Sequence, residues 1–242
     1  MDSVAESGVG VLDKAVTILS SLAADGPASL ADLVTRTGLS RPTAHRLAVA
    51  LERHGVVGRD GDGRFRLGAR LVGWGTRAAS GFAVVEAARP VLAALRDETD
   101  ESAQLYVRDD GARVCVATAE RRSGLRDTVP IGAALPMTAG SGAKALLAWR
   151  DPADALPGGV DPDAEELAAV RRRGWAASVA EREPGVASVS APVLDGRGYA
   201  VAAVSVSGPV DRLGRRPGAR YGAAVVAAAR EIEQRAGLRT AR

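Results

Sequence analysis

Cysteine is almost absent from this chain of 242 residues: Cys115 stands alone, which excludes an intramolecular disulfide and any cysteine-rich zinc site. Aromatic residues are nearly as scarce, at 3%, so the cores must be assembled from Leu, Val and Ala. Histidine occurs twice, at His45 and His54, and not at all from residue 81 onward. A Ser-His-Asp triad or a histidine general base in that larger part of the chain is thereby ruled out. No apolar run approaches the ~20 residues that span a bilayer. The start "MDSVAESGVG" has neither the basic residues nor the apolar stretch of a secretion signal. A soluble, cytoplasmic protein with no membrane partner is expected.

What is present is an uneven charge. The whole chain carries a net charge of only +3, yet residues 36 to 77 hold nine arginines against Glu52, Asp60 and Asp62, an excess larger than that of the entire protein. Both histidines and six of these arginines fall in "RPTAHRLAVALERHGVVGRDGDGRFRLG", residues 41 to 68. One basic segment joined to a nearly neutral remainder suits a phosphate-facing module attached to a part that does not touch nucleic acid.

The pattern around that segment is specific. In "GVLDKAVTILSSLAA" the residues Leu12, Ala15, Val16, Leu19 and Leu22 recur at the spacing of one helix face. "GPASLADLVTRTG" begins a second helix with Ser29 as N-cap and stops it at Gly38. A third helix starts at Ser40, takes Pro42 in its first turn, turns Ala44, Leu47, Ala48 and Leu51 inward, and ends at Gly55. The spacing of Val34, Gly38 and Ala44 is that of a helix-turn-helix. At 100° per residue the third helix leaves Pro42, Arg46, Val49 and Arg53 facing outward, with Arg41 and Thr43 near its exposed start. From such positions a recognition helix reaches base edges and phosphates. "VVGRDGDGRFRLG" adds a hairpin, with Phe65 and Leu67 inward and Arg59, Arg64 and Arg66 available to the sugar-phosphate backbone. A winged helix-turn-helix is expected over residues 1–68. Its DNA-facing residues are Ser29, Ser40, Arg41, Pro42, Thr43, His45, Arg46, Arg53, Arg59, Arg64 and Arg66. His45 and His54 lie nine residues apart without a carboxylate cluster, so no metal site is expected; His54 suits a helix C-terminus.

A linker helix, broken at Gly81, is expected over 69–81, and a second domain over 82–242. "SAQLYVRD" and "ARVCVATAE" look like strands flanking "DG", with Cys115 a small core residue in alternation with Val114 and Val116. "GAKALLAWR" and "DAEELAAVRRRG" look like helices. "VASVSAPVLDGRGYAVAAVSVSGP" looks like a hairpin turned at "DGRG", and "RYGAAVVAAAREIEQRAG" like a closing helix. The order predicts an α+β domain, an antiparallel sheet with helices on its faces.

No enzyme is expected, and no cofactor. "GSGAK" departs from a phosphate-binding loop because Lys144 is followed by Ala145 and not by Ser or Thr. "EREPG", residues 181 to 185, looks like a surface turn. Ligand binding without chemistry remains: "LPMTAGSGAKALL" brings backbone N–H groups to a helix start, a natural seat for an anion. Ser188 and Ser190, then Ser205 and Ser207, alternate along the two hairpin strands and can line a pocket.

These motifs, "LADLVTRTGLSRPTAHRL", "GRFRLGARL", "PMTAGSGAKALLA", "RRRGWA", "EREPGVASVSAPV" and "VAAVSVSGP" in that order, resemble the IclR family of bacterial transcriptional regulators almost end to end. The resemblance implies an N-terminal winged helix-turn-helix, a C-terminal GAF-like effector-binding and oligomerisation domain, and assembly as dimers or tetramers. It places the effector pocket at Leu125, Thr128, Gly142, Ala143, Ser178, Ser188, Ser205 and Ser207. Many members resemble "GYAVDD", with an acidic group where Ser178 stands, and many carry cysteine where Ser188 stands. "GVGVLDKA", "RPTAHRLAVALE", "ESAQLY" and "AERRSGLRDTVPIG" are most similar to the NdgR-like regulators of amino-acid metabolism, notably leucine biosynthesis. The expected function is a ligand-responsive regulator whose partners are operator DNA and a small effector, an amino acid or small carboxylate. The alternative is an architectural DNA-binding protein whose second domain only oligomerises.

Overall fold

The computed structural model describes residues 8–80, 83–109, 111–153 and 163–238. The chain divides into two compact units, Met1–Ala78 and Ala79–Arg242. The expected break at Gly81 lies outside the described residues.

In the first unit, helix α1 spans Gly10–Asp25, α2 Leu30–Thr37 and α3 Arg41–Arg53, followed by strands β1, Val57–Arg59, and β2, Phe65–Leu67. Helix α4, Arg70–Ser80, follows. The turn chemistry behaves as the residue types dictate. Ser29 and Asp32 form a reciprocal capping box, the Asp32 amide donating to Ser29 Oγ at 3.2 Å and the Ser29 amide to the Asp32 carboxylate at 2.9 Å. Gly38 ends α2 in the left-handed conformation, φ +69°, where a side chain is disfavoured. Ser29→Ala is expected to lower the stability of this unit by about 1 kcal/mol, read from urea unfolding by circular dichroism; an unchanged midpoint would mean the box contributes nothing.

The core of this unit is Ile18, Leu22, Ala28, Leu33, Leu47, Ala48, Val57 and Phe65. The stripe expected on α1 is corrected by it. Leu12 and Val16 are exposed, Ala15 and Leu19 are half-buried, and Ile18 takes the central place at 0% exposure. The buried face is rotated toward residues 15, 18, 19 and 22, another set that is equally compatible with helical spacing.

The second unit holds α5, Ala83–Thr99; β3, Ser102–Asp109; β4, Ala112–Ala119; β5, Ala134–Pro136; and α6, Ser141–Ala148. It continues with α7, Ala164–Arg173; β6, Ala176–Val179; β7, Val186–Leu194; β8, Ala200–Pro209; α8, Val210–Leu213; and α9, Pro217–Arg235. The six strands form one antiparallel sheet in the order β5-β4-β3-β8-β7-β6. Alternation assigns its faces. Ala103 and Leu105, Ala187 and Val189, and Val204 and Val206 pack with α5 and α9 in the larger core. The opposite face carries a smaller core of Met137, Ala143, Leu146, Val170, Ala176 and Ala203, joining the sheet to α6 and α7.

Candidate functional site

Helix α3 presents Arg41, Pro42, His45, Arg46 and Arg53 to solvent, with Thr43 half-buried. Inward, Ala44 and Ala48 are fully buried and Leu47 nearly so, which lets the helix sit close against its neighbours. Ser40 stands at the N-cap but does not bond a backbone amide; its hydroxyl donates to Thr43 Oγ1 at 2.9 Å. Arg41, Arg46 and Arg53 make no hydrogen bond or ion pair with any described residue, so their charge is fully available.

The wing arginines are held instead. Arg59 donates to Glu52 at 3.0 Å and to the Gly63 carbonyl at 2.9 Å, and its guanidinium stacks 4.1 Å from the centre of the Phe65 ring. Arg64 donates to the Pro27 carbonyl. Arg66 donates to the carbonyls of Arg59 at 3.2 Å and Leu67 at 3.1 Å. Ser29, engaged in its capping box as an acceptor, retains its own hydroxyl proton. His54 occupies the C-cap of α3, and its carbonyl accepts from Arg70 at 2.8 Å. The first unit therefore combines unengaged cations on the helix with hydrogen-bonded ones on the wing.

In the second unit a small cavity of about 20 Å³, partly open to solvent, lies on the α6 side of the sheet. Gly142, Ser178, Ser188, Ser205 and Ser207 all line it. The pairing register explains their convergence: Ser178 lies opposite Ser188, and Ser188 opposite Ser207, across three adjacent strands. Ala143 packs into the smaller core, Leu125 is 73% exposed and Thr128 is exposed, so these three are not among the lining residues. The Leu125 carbonyl accepts from Arg212 at 2.7 Å, away from the cavity lining.

The serine hydroxyls form a continuous ladder. Ser178 and Ser188 are 3.3 Å apart, Ser188 and Ser141 2.7 Å, Ser141 and Ser190 2.7 Å, and Ser190 and Ser205 2.9 Å. Ser205 donates to the Val189 carbonyl at 3.4 Å. Each hydroxyl has one proton, so this last bond fixes the direction of all the others. Donation runs Ser178 to Ser188 to Ser141 to Ser190 to Ser205, and no proton is left over. Ser207 stands aside and donates to Gln104 Oε1 at 3.1 Å.

The remaining lining residues were not singled out by the sequence. Tyr106, Arg113, Asp127 and Arg182 meet here. Between Leu105 and Tyr106 the register of β3 with β4 shifts, so that Leu105 opposes Ala117 while Tyr106 opposes Cys115. Bulges re-aim side chains in this way: Ala117 joins the larger core, whereas Cys115 packs with Tyr106 and Arg113 reaches the cavity. Burial pushes the Cys115 thiol up to about 12 and raises the Tyr106 phenol further, so neither is a nucleophile at neutral pH. Burial also lowers Arg113 to about 10. Arg182 pairs with Asp127, its Nη2 standing 3.2 Å from both carboxylate oxygens. The expected surface turn "EREPG" is found, with Glu181, Glu183, Pro184 and Gly185 exposed, and it also borders the cavity: Arg182 and Glu183 line it, and Glu181 accepts from the Gly140 amide at 3.2 Å and from Lys144 at 2.7 Å. Lys144 also meets Glu166 at 2.7 Å.

Comparison with known proteins decides what these two units are. The profile described as the IclR helix-turn-helix domain matches residues 11–61. The profile described as the bacterial transcriptional regulator IclR C-terminal domain matches residues 76–156 and 162–234. The chain belongs to the IclR family of transcriptional regulators. The HTH-type transcriptional regulator BhcR of Paracoccus denitrificans is 31% identical over 93% of this chain and 86% of its own length. The transcriptional repressor IclR of Escherichia coli is 28% identical over 86% and 82% respectively. Among solved structures, an IclR homologue from Microbacterium hydrocarbonoxydans complexed with 4-hydroxybenzoate superposes with a TM-score of 0.79. It is 23% identical and covers 94% of this chain and 99% of its own. In an IclR protein the first unit carries the DNA-binding helix-turn-helix and the second is the effector-binding domain. IclR proteins are regulators, not enzymes. Among the described residues no cluster suited to a metal ion occurs, and no helix is long and apolar enough to cross a membrane.

Proposed function

We propose that this IclR regulator controls genes of amino-acid biosynthesis, leucine biosynthesis among them, in response to a small molecule bound in the serine-lined cavity. It grips an approximately palindromic operator as a homodimer or homotetramer through Arg41, Arg46 and Arg53 of α3 and the wing arginines. The effector, an amino acid or small carboxylate, alters the spacing or orientation of paired reading heads, with a coupling of ~1–3 kcal/mol typical of allostery. The observation that carries the DNA reading is the row of unengaged arginines on an outward helix face within a basic winged unit. The pathway reading rests on the resemblance of "AERRSGLRDTVPIG" and "ESAQLY" to the amino-acid regulators. The small-carboxylate reading is supported by the 4-hydroxybenzoate held by the Microbacterium relative.

The test is fluorescence anisotropy of the full-length protein on labelled DNA from upstream of its own gene and of leucine-biosynthesis genes, beside a scrambled duplex. A preference for a native duplex that weakens steeply with salt is expected. Arg46→Ala is expected to cost roughly 10-fold or more in affinity. Equal, weak binding to all duplexes would leave only an architectural role. Tight binding elsewhere than at amino-acid genes would remove the pathway assignment alone.

A further inference from the structure

The sheet of the second unit has two outer strands, and they are not protected alike. At one end β5 holds Pro136, which has no amide proton to offer. At the other end β6, Ala176–Val179, carries no such block. An unpaired strand edge is a template for another strand, and proteins usually shield it.

Register shows which groups β6 leaves open. Ala180 donates to the Val186 carbonyl at 2.8 Å, a hydrogen-bonded pair of the antiparallel ladder. Such pairs recur at every second residue. Ser178 with Ser188 and Ala176 with Ser190 are therefore bonded across to β7, whereas the amides and carbonyls of Ala177 and Val179 point away from it. Neither bonds another element among the described residues. The Trp175 carbonyl shares their direction; it accepts from Arg173 at 2.7 Å and keeps a second lone pair for another donor.

A groove of about 520 Å³, open to solvent, follows this edge. Trp175, Ala177 and Val179 line it, between the start of α9 on one face and Lys144 and Glu166 on the other. Its charge is divided by end. Arg173, Arg215 and Arg216 lie at the Trp175 end, where Gly218 and Gly222 of α9 abut the indole. Beyond Val179, at the other end, come the exposed Glu181 and Glu183.

We infer that the occupant of this edge is β6 of a second copy of the chain, paired antiparallel about a twofold axis at Ala177. That axis sets 177 opposite 177 and 175 opposite 179, so every outward backbone group meets its complement. The same rotation carries the arginine end of each copy to the glutamate end of the other, and opposite charges meet twice. Parallel pairing would set arginine against arginine. The two sheets become one continuous sheet. Ser178 lines both the groove and the small cavity, so assembly and the serine ladder share a strand. This rests on the homo-oligomer proposed above and goes further by naming the surface and its register.

The test is the native mass of the full-length protein, by light scattering over a range of concentrations, for the wild type and for Ala177→Pro. The Ala177 amide proton has no partner in the isolated chain, so proline there is compatible with the folded monomer and blocks only the pairing. The mass of the variant is expected to fall by half, with an unchanged circular-dichroism spectrum. Ala177→Cys is expected to form a covalent dimer under mild oxidation, because Cα atoms about 5.5 Å apart across the axis lie within disulfide reach. The wild type, whose Cys115 is buried, is expected to remain uncrosslinked.

An unchanged mass in folded Ala177→Pro, or Ala177→Cys that stays uncrosslinked, overturns the β6 interface while leaving the homo-oligomer standing. A wild type that is monomeric at every concentration overturns both. Should Ala177→Pro fail to fold, Arg215→Glu combined with Arg216→Glu carries the test, since both side chains are exposed. Dissociation at concentrations roughly 10-fold or more above those of the wild type supports the interface through like-charge repulsion, and an unchanged profile overturns it.

Discussion

Arg212→Ala is expected to destabilise the second unit by about 3 kcal/mol. Glu101 is 2% exposed, and both its carboxylate oxygens accept from Arg212, from Nε at 2.6 Å and from Nη2 at 2.7 Å. The hydrogen bond and charge of Glu101 hold Arg212 above the usual guanidinium range. Gly208 leaves the space: a Cβ there would lie 2.3 Å from Glu101 Oε2. Truncating the arginine leaves a buried charge without its counter-ion and releases the Leu125 carbonyl as well. The cost is set at the low end of the range for broken buried pairs because the Arg212 side chain is one-third exposed. Urea unfolding of the full-length protein measures it. The double variant Glu101→Ala with Arg212→Ala is expected to lose less than Arg212→Ala alone, since no orphaned charge remains. A loss under about 1 kcal/mol in Arg212→Ala would show that water reaches the carboxylate freely.

The next largest effect has an unusual sign. Replacing glycine by alanine inside a helix normally stabilises by up to roughly 1 kcal/mol. Gly218→Ala in α9 is expected instead to destabilise by about 1–3 kcal/mol through overpacking. A Cβ at Gly218 would fall 1.9 Å from Cζ3 of Trp175, and one at Gly222, a turn later, 2.6 Å from its Nε1. The two glycines form a slot for the indole, which cannot step aside easily. Arg173 lies over its ring at 4.6 Å and donates to its carbonyl at 2.7 Å. Gly73→Ala in α4, where a Cβ would meet nothing within 4 Å, is the control and is expected to stabilise. If both substitutions raise Tm, the Trp175 contact is soft and the slot has no structural role.

Much of this architecture is written locally. Ser29, Gly38 and Gly55 mark helix ends wherever they occur, because capping and positive φ depend on neighbours only a few residues away. The β7–β8 hairpin is legible for the same reason: its serines alternate with Val189, Val204 and Val206, and a period of two assigns the faces. The phase of α1 was not legible, since residues 12, 15, 16, 19 and 22 satisfy helical spacing as well as the set centred on Ile18 does. Only contact with Leu33, Leu47 and Phe65 selects one. The cavity was half legible. Its serines follow from alternation, but Arg113 depends on a one-residue register shift in β3–β4, and the Arg182–Asp127 pair joins positions 55 residues apart. An arginine at period two from the buried Cys115 was the one available signal. It is the sort of local conflict that tends to mark a functional position.

The serine ladder has a sense as well as a shape. Its three short links, 2.7, 2.7 and 2.9 Å, persist whichever way the protons point, while the links that close its ends are the long ones, 3.3 Å at Ser178 and 3.4 Å at the Val189 carbonyl. Turning every hydroxyl round would exchange the weak bond at one end for a proton offered at the other, with no heavy atom displaced. A group that donates to Ser178 leaves the present polarity intact; a group that accepts from it favours the reverse. The ladder crosses from β6 through β7 and α6 to β8, so a reversal begun at Ser178 would run at once across three strands and a helix.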